Sequence, residues 1–179
     1  MTKTGDPDID AAEQASAYAE TYSRAWELTV GDAERMAEAK EENGWQTVVL
    51  PAGDMAPEPP DDGVEGRYGL VYVVPGNRAD TLESMLETAT FPDWEVYRTE
   101  VEGRVFIVTE LLDENEQMAT YVAGNYELRL AEELVRTAAD RGQVYTHLQR
   151  LDETHVATFE HGNWRRFFPN PDAFLSTEP

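Results

Sequence analysis

The fold is decided by the stretch YGLVYVVPGNRADTLESMLETATFPDWEVYRTEVEGRVFIVTELL, which occupies residues 68–112. Its β-branched runs are typical of strands, and its middle part carries apolar residues at helical spacing. Glu102 and Gly103 form a natural two-residue turn between the last two strands. The predicted elements are a strand at 68–75, a helix at 77–88 and strands at 94–101 and 104–112.

The same order of elements recurs in the following part of the chain. The predicted elements there are a strand at 117–123, a helix at 126–141 and strands at 144–151 and 155–160. At an offset of 48 residues, Gly76-Asn77 falls on Gly124-Asn125. Both pairs are expected where a strand passes into a helix, and the common order and spacing predict an internal repeat.

We therefore predict an α+β fold. A duplicated β-α-β-β unit would form a two-layer, antiparallel-rich sheet, because each unit supplies one helix for one face of the sheet. The repeats are 67–112 and 117–161, inside a single α+β domain of residues 45–168 that is followed by a tail at 169–179.

A helical hairpin is expected before this domain, over residues 6–44. Asp6 followed by Pro7 is typical of a helix start, and Thr29 followed by Asp32 resembles a capping box that opens a second helix. After a short strand at 45–50 comes the segment 51–66, which contains four prolines, three glycines and five acidic residues. This composition predicts an irregular loop, either a solvated connector or a segment with a role of its own.

The charge of the chain indicates its solvent. Thirty-six acidic residues face fourteen basic ones, only two of which are lysines, giving a net charge of −22. Such a charge would destabilise a compact fold by self-repulsion in dilute salt, whereas in molar salt the screening length falls to about 3 Å. We interpret the chain as a cytoplasmic protein of an extreme halophile. It has no cysteine, which excludes disulfides, thiolate ligands and a cysteine nucleophile.

Several function classes lack their sequence signals. The N-terminus has no apolar signal region and no apolar run approaches the ~20 residues of a membrane helix, so neither a secretory signal nor a membrane segment is expected. Arg165-Arg166 is the only basic cluster, which argues against nucleic-acid binding. No nucleophile elbow, phosphate-binding loop or zinc motif is present, so no catalytic residue, cofactor or metal site is predicted.

Hairpin register places specific side chains on the two faces of the sheet. The Glu102-Gly103 turn pairs Tyr97 with Val108 and Glu95 with Glu110, and a turn at Asp152-Glu153 pairs Tyr145 with Glu160 and His147 with Thr158. The face expected to be buried under the helices carries Val144, Leu148, Ala157 and Phe159. The opposite face carries the candidate ligand-binding residues, which are Tyr97, Phe106, Glu110, Tyr145, His147 and Glu160.

These residues predict a cleft between the repeats that is lined by aromatic rings and glutamates. In element order the chain resembles the tandem strand-helix-strand-strand modules of gyrase-inhibitor-like effector-binding domains, and this resemblance implies that small molecules bind in such a cleft. As a whole the chain resembles an uncharacterised haloarchaeal protein family of unknown function. The leading hypothesis is a non-catalytic binding or regulatory protein with a small-ligand or protein partner; the alternative is an enzyme that uses Glu and Tyr residues of the cleft.

A second candidate surface follows the last strand. Trp164, Arg165, Arg166 and Phe167 form a basic-aromatic cluster that could bind a partner or close the core of the chain itself. The apolar sheet face also needs a cover. A ligand, a second subunit in a homodimer, or the N-terminal helices through Tyr18, Tyr22 and Trp26 could provide it.

Overall fold

The computed structural model describes residues 7–62 and 66–176. The helices are α1 (Pro7–Glu42), α2 (Gly76–Met85), α3 (Glu132–Arg141) and α4 (Asp172–Leu175). The strands are β1 (Gln46–Pro51), β2 (Asp54–Glu58), β3 (Gly69–Val73), β4 (Asp93–Val101), β5 (Arg104–Asp113), β6 (Met118–Glu127), β7 (Val144–Gln149) and β8 (His155–His161). Short 3₁₀ turns lie at Leu128–Ala131 and Trp164–Phe167. The predicted α+β class is confirmed.

The strands form two four-stranded sheets rather than one. The first sheet has the order β1-β6-β5-β4 and the second has the order β2-β3-β7-β8. β1 runs parallel to β6 and β3 runs parallel to β7, whereas the other neighbours are antiparallel. The prediction of a single sheet is therefore corrected: β3 and β6 each join the sheet that contains the hairpin of the other segment.

Both predicted repeats have the strand-helix-strand-strand order, as β3-α2-β4-β5 and β6-α3-β7-β8. Their pairing is not equivalent, because β3 lies parallel to β7 whereas β6 lies antiparallel to β5. A duplication of the unit stays a prediction. Gly124-Asn125 was expected at a helix start but lies inside β6, and α3 begins only at Glu132.

The N-terminal segment is one continuous helix and not a hairpin. α1 spans 36 residues without a break at Thr29, whose hydroxyl donates to the Ala25 carbonyl at 2.7 Å instead of capping a second helix. Ala25, Ala33 and Ala37 are buried and share one side of the helix. A break at Thr29 would divide this row of buried alanines, so packing against the sheet keeps α1 continuous. The expected cap Asp6 lies outside the described residues.

Part of the segment 51–66 is also regular. β2 lies inside it and pairs along its whole length with β3, from Asp54 opposite Val73 to Glu58 opposite Gly69. Pro57 is compatible with this strand because β2 is at the edge of its sheet. The prediction of an irregular loop is therefore wrong for residues 54–58; residues 63–65 lie outside the described residues.

The main core lies between the two sheets and is closed by α2 and α3. The sheets approach closely at Gly124, where an added Cβ would lie 2.5 Å from Met55 Sδ and 2.7 Å from Tyr72 Cε1. The buried residues of the core include Leu50, Leu70, Tyr72, Leu82, Ile107, Val122, Leu134, Val144, Leu148 and Phe167.

A second, smaller apolar cluster lies on the outer face of the first sheet. α1 covers this face with Ala33 and Ala37, which pack against Val49, Val108 and Tyr121. Nearer its N-terminal half, the Tyr22 ring lies 6.3 Å from the Phe106 ring. The chain's own helix thus covers the apolar face of the first sheet. Within the described ranges, no helix is long and apolar enough to cross a membrane.

Candidate functional site

The strand registers predicted from the two hairpins are confirmed. Tyr97 lies opposite Val108 and Glu95 lies opposite Glu110. Tyr145 lies opposite Glu160 and His147 opposite Thr158. A bulge between Leu148 and Gln149 interrupts the second hairpin, so that Gln149 lies opposite His155. The predicted pairing therefore does not continue as far as the Asp152-Glu153 turn. Val144, Leu148, Ala157 and Phe159 are buried, as expected.

The six candidate ligand residues form two separate clusters, because they belong to different sheets. Tyr97, Phe106 and Glu110 lie in β4 and β5 of the first sheet, whereas Tyr145, His147 and Glu160 lie in β7 and β8 of the second. Phe106, Glu110 and His147 are buried, while Tyr97 and Glu160 are exposed.

The first cluster is a hydrogen-bonded pair beside a small cavity. Tyr121 donates its hydroxyl to Glu110 Oε2 at 2.8 Å. Burial raises the pKa of Tyr121, and the neighbouring Glu110 adds to this effect. The adjoining cavity between α1 and the sheet measures about 130 Å³ and is lined in part by Tyr97 and Phe106. That is well below the ~300 Å³ at which small-molecule sites begin, so this cluster does not provide a ligand cleft.

The second cluster is held by structural hydrogen bonds. His147 Nε2 lies 2.8 Å from the Tyr68 carbonyl oxygen, so it carries the proton and donates; Nδ1 therefore accepts from the Thr158 hydroxyl at 3.0 Å. Burial lowers the pKa of His147 and favours the neutral ring. The Tyr145 ring stacks on this imidazole with 5.7 Å between centroids. Both ring nitrogens of His147 are thus occupied by the fold.

His161 lies in the core, apart from the other two histidines. Its Nε2 is 2.8 Å from the Thr146 hydroxyl, and its ring lies 4.7 Å from Trp94 and 4.5 Å from Phe167. Burial lowers the pKa of His161 to about 3. Among the described residues, no group of three or more histidine and carboxylate side chains is arranged to hold a metal ion.

A larger concavity lies elsewhere, at the carboxyl ends of β1, β3 and β7. We call it the strand-end groove; its volume is about 620 Å³. It is lined by Pro51, Gly53, Val73, Val74, Pro75, Gly76, Arg150, Leu151 and Asp152. Most of these residues are apolar, and Leu151, in the turn between β7 and β8, is 88% exposed.

The polar side of the strand-end groove consists of Arg150, Asp152 and the start of α2. Arg150 donates to Asp80 Oδ1 at 2.6 Å and to the Gly76 carbonyl at 3.2 Å, which ties the β7–β8 turn to the helix. α2 begins after Pro75 without a side-chain cap and has no acidic residue in its first turn. The first backbone amides of a helix have no partner within it, and here no side chain of the N-cap residue replaces one.

The family model described as "Family of unknown function (DUF7529)" matches residues 12–169. The chain belongs to this family. Comparisons with curated proteins and with solved structures give no match. In this DUF7529 member, the matched range contains every lining residue of the strand-end groove and all eight described strands.

The predicted partner-binding cluster of this DUF7529 chain is divided between core and surface. Trp164 and Phe167 are buried in the main core, whereas Arg165 and Arg166 are exposed. The two rings therefore close the core, and only the arginines face solvent.

Sequence reasoning missed the strand-end groove. Its lining comes from three separate parts of the chain, near residues 51–53, 73–76 and 150–152. One local signal was present: an apolar strand that passes through Pro75-Gly76 directly into a helix, which is a common place for ligands in sheets with parallel strands.

Proposed function

We propose that this protein is a non-catalytic binding protein that holds a small, largely apolar ligand in the strand-end groove. The observation that carries the proposal is the groove itself. Its volume of about 620 Å³ falls within the ~300–1,000 Å³ of small-molecule sites, and its lining is apolar with a few polar groups at one side.

The exposed leucine supports this assignment. Leu151 is 88% exposed at the edge of the groove, beside Pro51 and Pro75. Covering a leucine side chain with apolar ligand surface contributes about 1.5–3 kcal/mol. A ligand in the groove would therefore recover hydrophobic energy that the free protein does not use.

The polar side favours a ligand with an anionic or strongly accepting group. The guanidinium of Arg150 and the uncapped start of α2 both present positive character to the groove. Asp80 and Glu83 partly neutralise Arg150, and the carboxylate of Asp152 lines the same groove. We therefore expect an apolar body with a single acidic head rather than a highly charged ligand.

A non-catalytic role fits the chemistry of the lining. The lining residues include no serine, threonine, lysine, histidine or tyrosine that could act as a nucleophile or general base. Asp152 accepts a hydrogen bond from the Thr154 amide at 3.0 Å, and hydrogen bonds from Thr154 lower its pKa, which makes its carboxylate a weak base. The alternative enzyme is less well supported, because Glu110 is engaged with Tyr121 and Glu160 lies in the other sheet.

We further propose that the protein works in the cytoplasm of an extreme halophile. The net charge of −22 and the scarcity of lysine support this host. The strand-helix-strand-strand order, which resembles that of gyrase-inhibitor-like effector-binding domains, supports binding of a small effector.

The fluorescent probe 8-anilinonaphthalene-1-sulfonate tests the groove, because it combines an aromatic body with one anionic group. We expect saturable binding of one probe to the folded protein. The substitution Leu151→Asp should weaken binding at least about tenfold, since it replaces apolar contact by repulsion. Leu130→Asp is the matched control, because Leu130 is also an exposed leucine (54%) but lies outside the groove. Equal binding by both variants, or no saturable binding by the native chain, would refute the proposal.

A further inference from the structure

A second concavity gathers arginines where the edge strand β4 meets the 3₁₀ turn Trp164–Phe167. We call it the arginine cavity; it measures about 380 Å³ and is lined by Val96, Arg98, Asn163, Arg165 and Arg166. It shares no lining residue with the strand-end groove. The two sites are therefore independent.

The composition of the chain makes this cluster unusual. Only fourteen of the 179 residues are lysine or arginine, against thirty-six acidic residues. Three of those fourteen basic residues line this one cavity. Arg98 is distant in sequence from the other two, so tertiary structure brings them together. No carboxylate of the described residues lines the cavity itself, although Asp172 and Glu95 pair with Arg165 and Arg166 beside it.

The arginines are positioned by the core beneath them. Trp164 and Phe167 are buried, which turns the intervening Arg165 and Arg166 to the surface. Arg98 Nε donates to the Arg166 carbonyl at 2.9 Å and so joins the strand to the turn. The Arg165 guanidinium lies 4.8 Å from the Trp164 ring centroid. These contacts hold the groups before any ligand arrives.

The positive charges are only partly compensated. Arg165 pairs with Asp172 at 2.8 Å and Arg166 pairs with Glu95, and all four side chains are more than a third exposed. Ion pairs of this kind contribute little to stability, so a ligand anion can replace the carboxylates at small cost. Arg98 forms no ion pair with any carboxylate in the described part of the chain.

We propose that the arginine cavity binds a small oxyanion carrying more than one negative charge, such as a phosphate or diphosphate group. Guanidinium groups present pairs of N–H donors that match the oxygens of such an anion. Asn163 also lines the cavity, and a side-chain amide can supply a neutral donor to such an anion.

A small anion fits better than a nucleic acid. The protein around the cavity has a net charge of −22, and Glu95 and Asp172 lie next to the cavity in ion pairs with Arg166 and Arg165. The long sugar-phosphate backbone of a nucleic acid would be repelled by these carboxylates and by the acidic surface around them. A compact anion contacts the arginines alone.

Calorimetric titration with inorganic pyrophosphate at fixed KCl concentration tests the proposal. We expect the native protein to bind one pyrophosphate in the millimolar range or tighter. The substitution Arg98→Gln should weaken binding at least about tenfold, because it removes the one arginine charge of the cavity that no carboxylate of the described residues neutralises. Glu95→Gln should tighten binding several-fold, because it removes the carboxylate that competes for Arg166. Arg129→Gln is the matched control, since Arg129 is an exposed arginine that pairs with Glu127 away from the cavity.

Each result of these titrations either supports or overturns the proposed anion site. No saturable binding by the native protein, or equal loss in Arg98→Gln and Arg129→Gln, overturns the site. Tighter binding of a DNA oligonucleotide than of pyrophosphate overturns the assignment to a small anion. Circular dichroism melting confirms that each variant is folded. Should Arg98→Gln fail to fold, the Glu95→Gln variant decides: tighter binding supports the site and unchanged binding overturns it.

Discussion

Tyr121 donates its hydroxyl to Glu110 Oε2 at 2.8 Å, between directly opposite residues of β5 and β6 and beneath α1. Both residues are buried. A buried carboxylate without a donor is costly, so this bond stabilises the pairing of β5 with β6 beneath α1.

The substitution Tyr121→Phe tests that contribution. It leaves the ring in place but removes the only hydrogen-bond donor to the Glu110 carboxylate among residues 7–62 and 66–176. We expect the free energy of unfolding to fall by about 1–3 kcal/mol, the cost of an unpaired buried acceptor. Denaturant unfolding measures the change. Tyr18→Phe, at an exposed tyrosine of the same chain, should change the free energy of unfolding by no more than about a few tenths of a kcal/mol. Equal effects of the two substitutions would contradict the argument.

Acid should destabilise the protein well above the range in which carboxylates titrate. Burial lowers the pKa of His161 to about 3, whereas a histidine in the unfolded chain has a pKa near 6.5. As pH falls through about 6.5, the unfolded chain gains a proton that the folded chain does not accept. The free energy of unfolding should therefore fall between about pH 6.5 and pH 3, by up to about 1.4 kcal/mol per pH unit.

Burial lowers the pKa of His147 as well, so it adds to the pH dependence in the same direction. Unfolding measured across this pH range should show a smaller slope for His161→Phe, which removes the titrating group but keeps a ring in the aromatic cluster. A native slope in His161→Phe would contradict the assignment.

Gly124 lies where the two sheets approach each other closely. The methyl group of Gly124→Ala would lie 2.5 Å from Met55 Sδ and 2.7 Å from Tyr72 Cε1. Because Tyr72 is fully buried, it has little room to move, and we expect a loss of about 1–3 kcal/mol from overpacking. Gly162→Ala is the control, since no atom lies within 4 Å of its added Cβ. Thermal melting of both variants checks the difference. Equal melting temperatures would contradict the prediction, because the two sheets would then accommodate the added methyl group without loss of stability.

Salt should stabilise the fold strongly. The net charge of −22 implies repulsion that is screened only at high ionic strength. We expect the melting temperature to rise steeply from dilute buffer to molar KCl. An unchanged melting curve over that range would remove the proposal of a halophilic host.

The hairpins could be predicted because their determinants are local. The turn at Glu102-Gly103 sets the register of β4 and β5, so Tyr97 lies opposite Val108 as predicted. Strict alternation along β7 then places Val144 and Leu148 in the core.

The errors occurred where distant contacts override a local signal. Thr29 and Asp32 match a capping box, yet α1 continues because Ala33 and Ala37 bury against the first sheet. Gly124 resembled a helix start, but it lies in a strand where only a residue without a side chain lets Tyr72 approach.

The sequence by itself determined the α+β class, the registers of the two hairpins and the acidity of the chain, because each depends on neighbouring residues or on composition alone. Tertiary structure decided the division into two sheets, the strand-end groove and the arginine cavity. Each of these joins segments far apart in the chain, such as Pro51 with Leu151 and Arg98 with Arg166. Their contact energies arise only once the whole chain has packed, so no local pattern records them.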